Sequence, residues 1–161
     1  MTARLLTVTA FLATLAQGQV AAQAKPNFSG AWKLNVERSD PMGGGPGGPG
    51  GGSMASAVTT ITQTPDKMTI EVKVGEQPPR VSNYNLDGTE SVNTTQRGES
   101  KSKVSWEGAG MVITTESSFN GNAFTSKSVR VLSADGKQMT VTTTRQTPNG
   151  ETTTNQVYDK Q

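Results

Sequence analysis

Between Lys67 and Val74 the chain alternates strictly. Met68, Ile70, Val72 and Val74 are apolar, and Thr69, Glu71 and Lys73 between them are polar. A two-residue period marks a strand with one face on a core. The same rhythm, weaker and richer in Thr, runs through most of the chain. It predicts strands at Ser29–Val36, Ala57–Thr64, Lys67–Val74, Arg80–Leu86, Thr89–Thr95, Lys101–Glu107, Met111–Phe119, Ala123–Leu132, Lys137–Arg145 and Glu151–Asp159. Turn residues separate them: Pro65-Asp66, Pro78-Pro79, Asp87-Gly88, Gly108-Ala109-Gly110, Asn120-Gly121-Asn122, Asp135-Gly136 and Pro148-Asn149-Gly150. About ten short strands at hairpin spacing, with helix starts missing almost everywhere, read as all-β. The expected architecture is a single antiparallel up-and-down barrel.

Two segments depart from the rhythm. Met1–Ala24 has Arg4, an apolar run Leu5–Ala16, and Ala22-Gln23-Ala24 as an A-x-A site. It reads as a signal peptide of bacterial appearance and places the product in the periplasm or outside the cell. Gly43–Ser53 (GGGPGGPGGGS) has nothing to bury, so residues 41–56 read as a flexible loop after the first strand. The domain itself is expected to span 25–161.

Composition narrows the chemistry. The chain of 161 residues has no Cys and no His, which removes thiolate and imidazole metal sites, Cys or His nucleophiles, disulfides and every His-dependent dyad. Net charge is +2. The densest basic cluster, Arg97, Lys101 and Lys103, is flanked by Glu99 and Glu107, and it reads as a solvated strand face with no nucleic-acid partner. No carboxylate pair has a spacing that demands acid–base roles. Gly43–Gly52 lacks the Gly-Lys-Ser/Thr end of a phosphate loop. Ca²⁺ at the Asp-Gly turns is conceivable, but such turns are usually plain hairpins. No enzyme activity, cofactor or metal is expected. The expected product is a monomer that does not insert in the membrane after signal cleavage. Apolar content is only 32%, so the interior is expected to be thin, or partly polar and hydrated.

The segments FSGAWKLN, ITQTPDKMTIEV, SKVSWEGAGMVIT, VRVLSADGKQMTV and VYDKQ resemble successive strands of the calycin superfamily. They are most similar to the intracellular fatty-acid-binding proteins, and the Gly-x-Trp at Gly30–Trp32 is shared with lipocalins. The opening F-S-G-x-W-K-L-N also resembles that of a group of small secreted bacterial proteins. The resemblance implies a lipocalin-like barrel of about ten strands around a cavity for a small hydrophobic ligand. In fatty-acid-binding proteins an Arg and an Arg-x-Tyr hold the ligand carboxylate. Arg130 matches the first. Gln156-Val157-Tyr158 falls on the second, so Tyr158 matches and Gln156 departs, with the loss of bidentate carboxylate binding there. The helical lid of that family is replaced here by the Gly-rich loop.

Candidate ligand-binding residues are therefore Arg130, Tyr158, Gln156, Trp106, Met111 and Phe124. Phe124, Ser126, Ser128 and Arg130 share one strand face, and Thr154, Gln156 and Tyr158 share another. Arg130 has a second reading, outward and paired with Asp159 or Glu116. Trp32 reads as a plug at one end, and Trp106 as cavity wall or core. Met111, Met139, Ile113 and Val141 read as lining one space. The leading expectation is a non-catalytic carrier. The alternative is a structural or protein-interaction barrel whose interior is filled by its own side chains.

Overall fold

The computed structural model describes residues 25–41, 56–95, 98–119, 122–147 and 150–161. The signal-like segment 1–24 and the Gly-rich stretch lie outside the described residues. Ten strands form one antiparallel sheet: β1 (Gly30–Leu34), β2 (Val58–Gln63), β3 (Lys67–Lys73), β4 (Arg80–Asn85), β5 (Ser91–Thr95), β6 (Gly98–Glu107), β7 (Gly110–Phe119), β8 (Asn122–Leu132), β9 (Gln138–Thr147) and β10 (Gly150–Lys160). No helix occurs among the described residues. Each strand pairs with its chain neighbours except β4 with β5, and β1 pairs with β10, so the order runs β4-β3-β2-β1-β10-β9-β8-β7-β6-β5. The sheet curls into a nearly closed barrel of the expected class.

Strand ends differ from the sequence reading by up to three residues, and two of them show why. The first strand stops at Leu34 rather than Val36, and Val36 is 56% exposed. There the chain turns: Arg38 N–H donates to the Asn35 carbonyl and to Asn35 Oδ1. Ser39 and Asp40 then stand beside β10, where Ser39 Oγ accepts from Val157 N–H and Asp40 Oδ2 from Asn155 N–H. The sixth strand begins at Gly98, three residues before Lys101, because Gly98–Ser100 pair with Asn93–Thr95.

The base of the barrel is sealed around Trp32, which is 0% exposed. Its indole N–H donates to the Phe28 carbonyl at 2.9 Å, so the ring is buried without a lost hydrogen bond. Gly30 precedes it with φ +143, and a Cβ there would lie 2.7 Å from Lys160 Cε. Lys160 Nζ sits 5.3 Å from the Trp32 ring centroid, a cation–π contact. The Gly-x-Trp pairing thus has a physical reason: the backbone at Gly30 takes a positive φ that suits glycine, and a Cβ there would push aside the lysine that covers the tryptophan. Phe28, Ile61, Met68, Ile70, Leu86, Val104, Met111, Ile113, Met139 and Val141 complete one buried cluster with Trp32.

The barrel is closed differently at its two seams. Backbone pairing joins β1 to β10. Between β4 and β5 the side chains make the bonds. Asn93 Oδ1 accepts from Asn83 N–H at 2.8 Å, and Asn93 Nδ2 donates to the Asn83 carbonyl at 3.0 Å. Ser91 Oγ accepts from Asn85 N–H at 2.7 Å. Asn93 and Ser91 are buried accordingly.

Candidate functional site

Cross-strand register sorts the interior into rows, since directly paired residues share a face. One row reads Trp106, Met111, Arg130, Val141, Gln156 across β6 to β10. Met111 and Val141 belong to the buried core, so Arg130 between them points inward. The reading that placed Arg130 outward, paired with Asp159 or Glu116, is overturned. Asp159 instead accepts from Asn35 Nδ2 and Gln138 Nε2, and Glu116 lies opposite Thr125 and Lys101.

Arg130 Nη1 is buried and has no hydrogen-bond partner. Burial lowers the guanidinium's pKa, and the nearby Tyr84 and Tyr158 oppose that shift. Arginine nonetheless stays cationic in proteins. Tyr158 is pushed up by its own burial, which the Arg130 charge partly offsets. Its hydroxyl donates to Gln156 Oε1 at 3.2 Å. A buried cation with an idle N–H is costly. The arrangement can hold an acceptor, and an anion most strongly.

Register also corrects how these residues meet. The strands β8 and β10 are not neighbours: β9 lies between them, and Val141 separates Arg130 from Gln156. Tyr158 stands one row below Gln156, opposite Met139 and Leu34. Trp106 packs against the core with its ring 6.4 Å from Phe28, and Lys25 Nζ lies 5.2 Å from its centroid. Its indole N–H is the second buried donor without a partner. Met111 is sealed at 0% exposure. Phe124 shares the Arg130 face but stands near the far end of β8, paired with Ser117, with Ser126 and Ser128 between. Six residues of strand separate them, about 20 Å. Tyr84 was not singled out from sequence. Its signal was its phase with Ser82 and Leu86 in the fourth strand, and the structure brings it to Arg130 from the opposite wall.

The Asp-Gly turns are occupied by their own chain. Asp87 Oδ1 accepts from Thr89 N–H and Oγ1, and Asp135 Oδ1 from Ser133 Oγ and Lys137 N–H. These bonds hold both carboxyls below the usual carboxylate range. An open groove of about 570 Å³ runs along the Ser133–Gln138 turn beside Asp159 and Lys160. It includes no residue of the Arg130 row, and its carboxylates are already bonded as above.

No protein-family model matches this chain, and no curated protein sequence matches it. Solved structures do. Zebrafish ileal bile acid-binding protein complexed with cholic acid is similar at 21% identity and TM-score 0.59, over 83% of this chain and 98% of that one. The fluorescent protein UnaG is similar at 21% identity and TM-score 0.57, over 83% and 97%. A Schistosoma mansoni fatty acid binding protein in complex with arachidonic acid is similar at 20% identity and TM-score 0.54, over 87% and 98%. With ten antiparallel strands in sequential order and a Trp-plugged base, this chain shares the barrel fold of these bile-acid- and fatty-acid-binding structures.

Proposed function

We propose that this protein is an exported, periplasmic or secreted, non-catalytic carrier that holds a small amphipathic acid inside its barrel. The observation that carries this reading is Arg130. A guanidinium in the interior, with a buried N–H that bonds nothing, is a poor structural device and a good anion receptor. Tyr84 and Tyr158 flank it, and each has one hydroxyl hydrogen an anion can take, Tyr158 in exchange for its bond to Gln156 Oε1. The apolar cluster below supplies the hydrophobic floor. Two similar barrels are known with carboxylic acids bound, cholic and arachidonic. A specific observation favours a second reading, the filled barrel: Met68, Met111 and Met139 at the base are sealed by their neighbours. In the carrier reading these side chains are the floor and the ligand lies above it.

The test is displacement of an anionic fluorescent probe, anilinonaphthalene sulfonate, by oleate at neutral pH, for the wild type and Arg130→Met. The wild type is expected to bind both, and the variant to bind oleate at least about tenfold more weakly with an unchanged circular dichroism spectrum. A wild type that takes up neither molecule, or a variant that binds as tightly, sinks the carrier reading and leaves the filled barrel.

A further inference from the structure

The interior changes character around the barrel. Above the Arg130 row, the next row reads Val104, Ile113, Ser128, Thr143, Thr154, and the one above that Ser102, Thr115, Ser126, Arg145, Thr152. Successive rows are about 6.8 Å apart along the strands. On β6 and β7 the wall is apolar in the lower of these rows and polar in the upper, and mostly sealed: Val104 and Ile113 are each 3% exposed and Ser102 2%. Toward β8 to β10 it changes character. Ser126, Ser128, Thr143, Thr154 and Gln156 face inward and keep part of their surface accessible. In the row above, Arg145 and Thr152 are exposed, so this flank opens toward that end of the barrel with the hydroxyls along the way.

These hydroxyls are not used up by one another. Ser128 Oγ and Thr143 Oγ1 are 3.0 Å apart. A hydroxyl pair owns two hydrogens, and the bond between them uses one. The pair therefore keeps one donor and several lone pairs. A hydrocarbon tail laid along this flank would strip those groups of water and return no hydrogen bond.

The geometry points to a ligand whose body carries oxygen functions, hydroxyl or carbonyl, along the side that faces β8–β10. The class is an oxygenated lipid-like acid rather than a plain acyl chain. This rests on the carrier reading, with the acid group at Arg130.

The test compares two acids that differ only in this property, stearate and 9,10-dihydroxystearate, by calorimetric titration into the full chain. Hydrophobic transfer alone favours stearate. The expectation is the reverse, dihydroxystearate tighter by about tenfold. The double variant Ser128→Ala/Thr143→Val removes both partners of one pair together, which is nearly neutral for folding, and is expected to abolish the preference. Stearate binding as tightly or more tightly to the wild type overturns the inference and leaves the acid-carrier reading standing. A dihydroxystearate preference that survives in the double variant overturns the assignment to this flank. Binding of neither acid overturns both.

Discussion

The wall built by β6 and β7 and the wall built by β8 and β10 face the same interior. The first presents Val104, Met111 and Ile113, packed until almost no surface remains. The second presents Ser126, Ser128, Arg130, Gln156 and Tyr158, all half-buried, with Arg130 Nη1 sealed. Both walls alternate with the same period. The difference lies in what each wall does with its inward positions. One contributes stability by burying apolar area. The other holds polar groups that folding alone does not satisfy, and Arg130 is its extreme. A protein keeps such groups against their cost when something other than the fold uses them.

The comparison can be broken from the sealed side first. Trp32→Ala removes the largest fully buried side chain at the base. By the usual cost of emptying a packed aromatic site it should destabilise the barrel by about 3–5 kcal/mol, read as a lower urea midpoint. The open side should respond with the opposite sign. Arg130→Met replaces a buried, unpartnered cation with a side chain of similar length that matches its row neighbours. Stability should be unchanged or higher by about 1–3 kcal/mol, read as a raised Tm, while anion binding falls. A destabilised Arg130→Met would mean that the guanidinium is structural and the two walls are alike. The smallest effect concerns the turn beneath the polar flank. Bonds from Ser133 and Lys137 depress the Asp135 pKa, so the stability it contributes is present above about pH 4 and lost as pH falls through the folded value. Asp135→Asn should therefore differ from wild type at pH 6 and converge with it near pH 2, by acid unfolding followed by circular dichroism.

Much of this was legible in the chain. All ten strands follow from alternation and turn residues, because both are local properties. Trp32 as plug followed from Gly-x-Trp. The end of β1 was misplaced because Val36 continues the alternation on paper, while Asn35 turns the backbone out of it. The orientation of Arg130 was open because its phase fixes its companions Ser128 and Ser126, and these suit either side of a sheet. Only Met111 and Val141, paired with it across two ladders, decide the matter, and register is not a local property. Tyr84 reaches Arg130 across the interior, and no period in the sequence encodes that. The burial of Asn93 was hidden for a related reason: a polar residue in phase with Ser91 looks like a solvent face until its partner strand is known.

Asn93 has a consequence for how the molecule keeps to itself. A tube has no free margins, whereas a ribbon has two, and exposed margins recruit other chains. Here the ribbon's margins, β4 and β5, are held together by one carboxamide that imitates a peptide group, assisted by the hydroxyl of Ser91. Side chains rather than a backbone ladder therefore keep this sheet a self-contained vessel and cover the margins at which another chain could add.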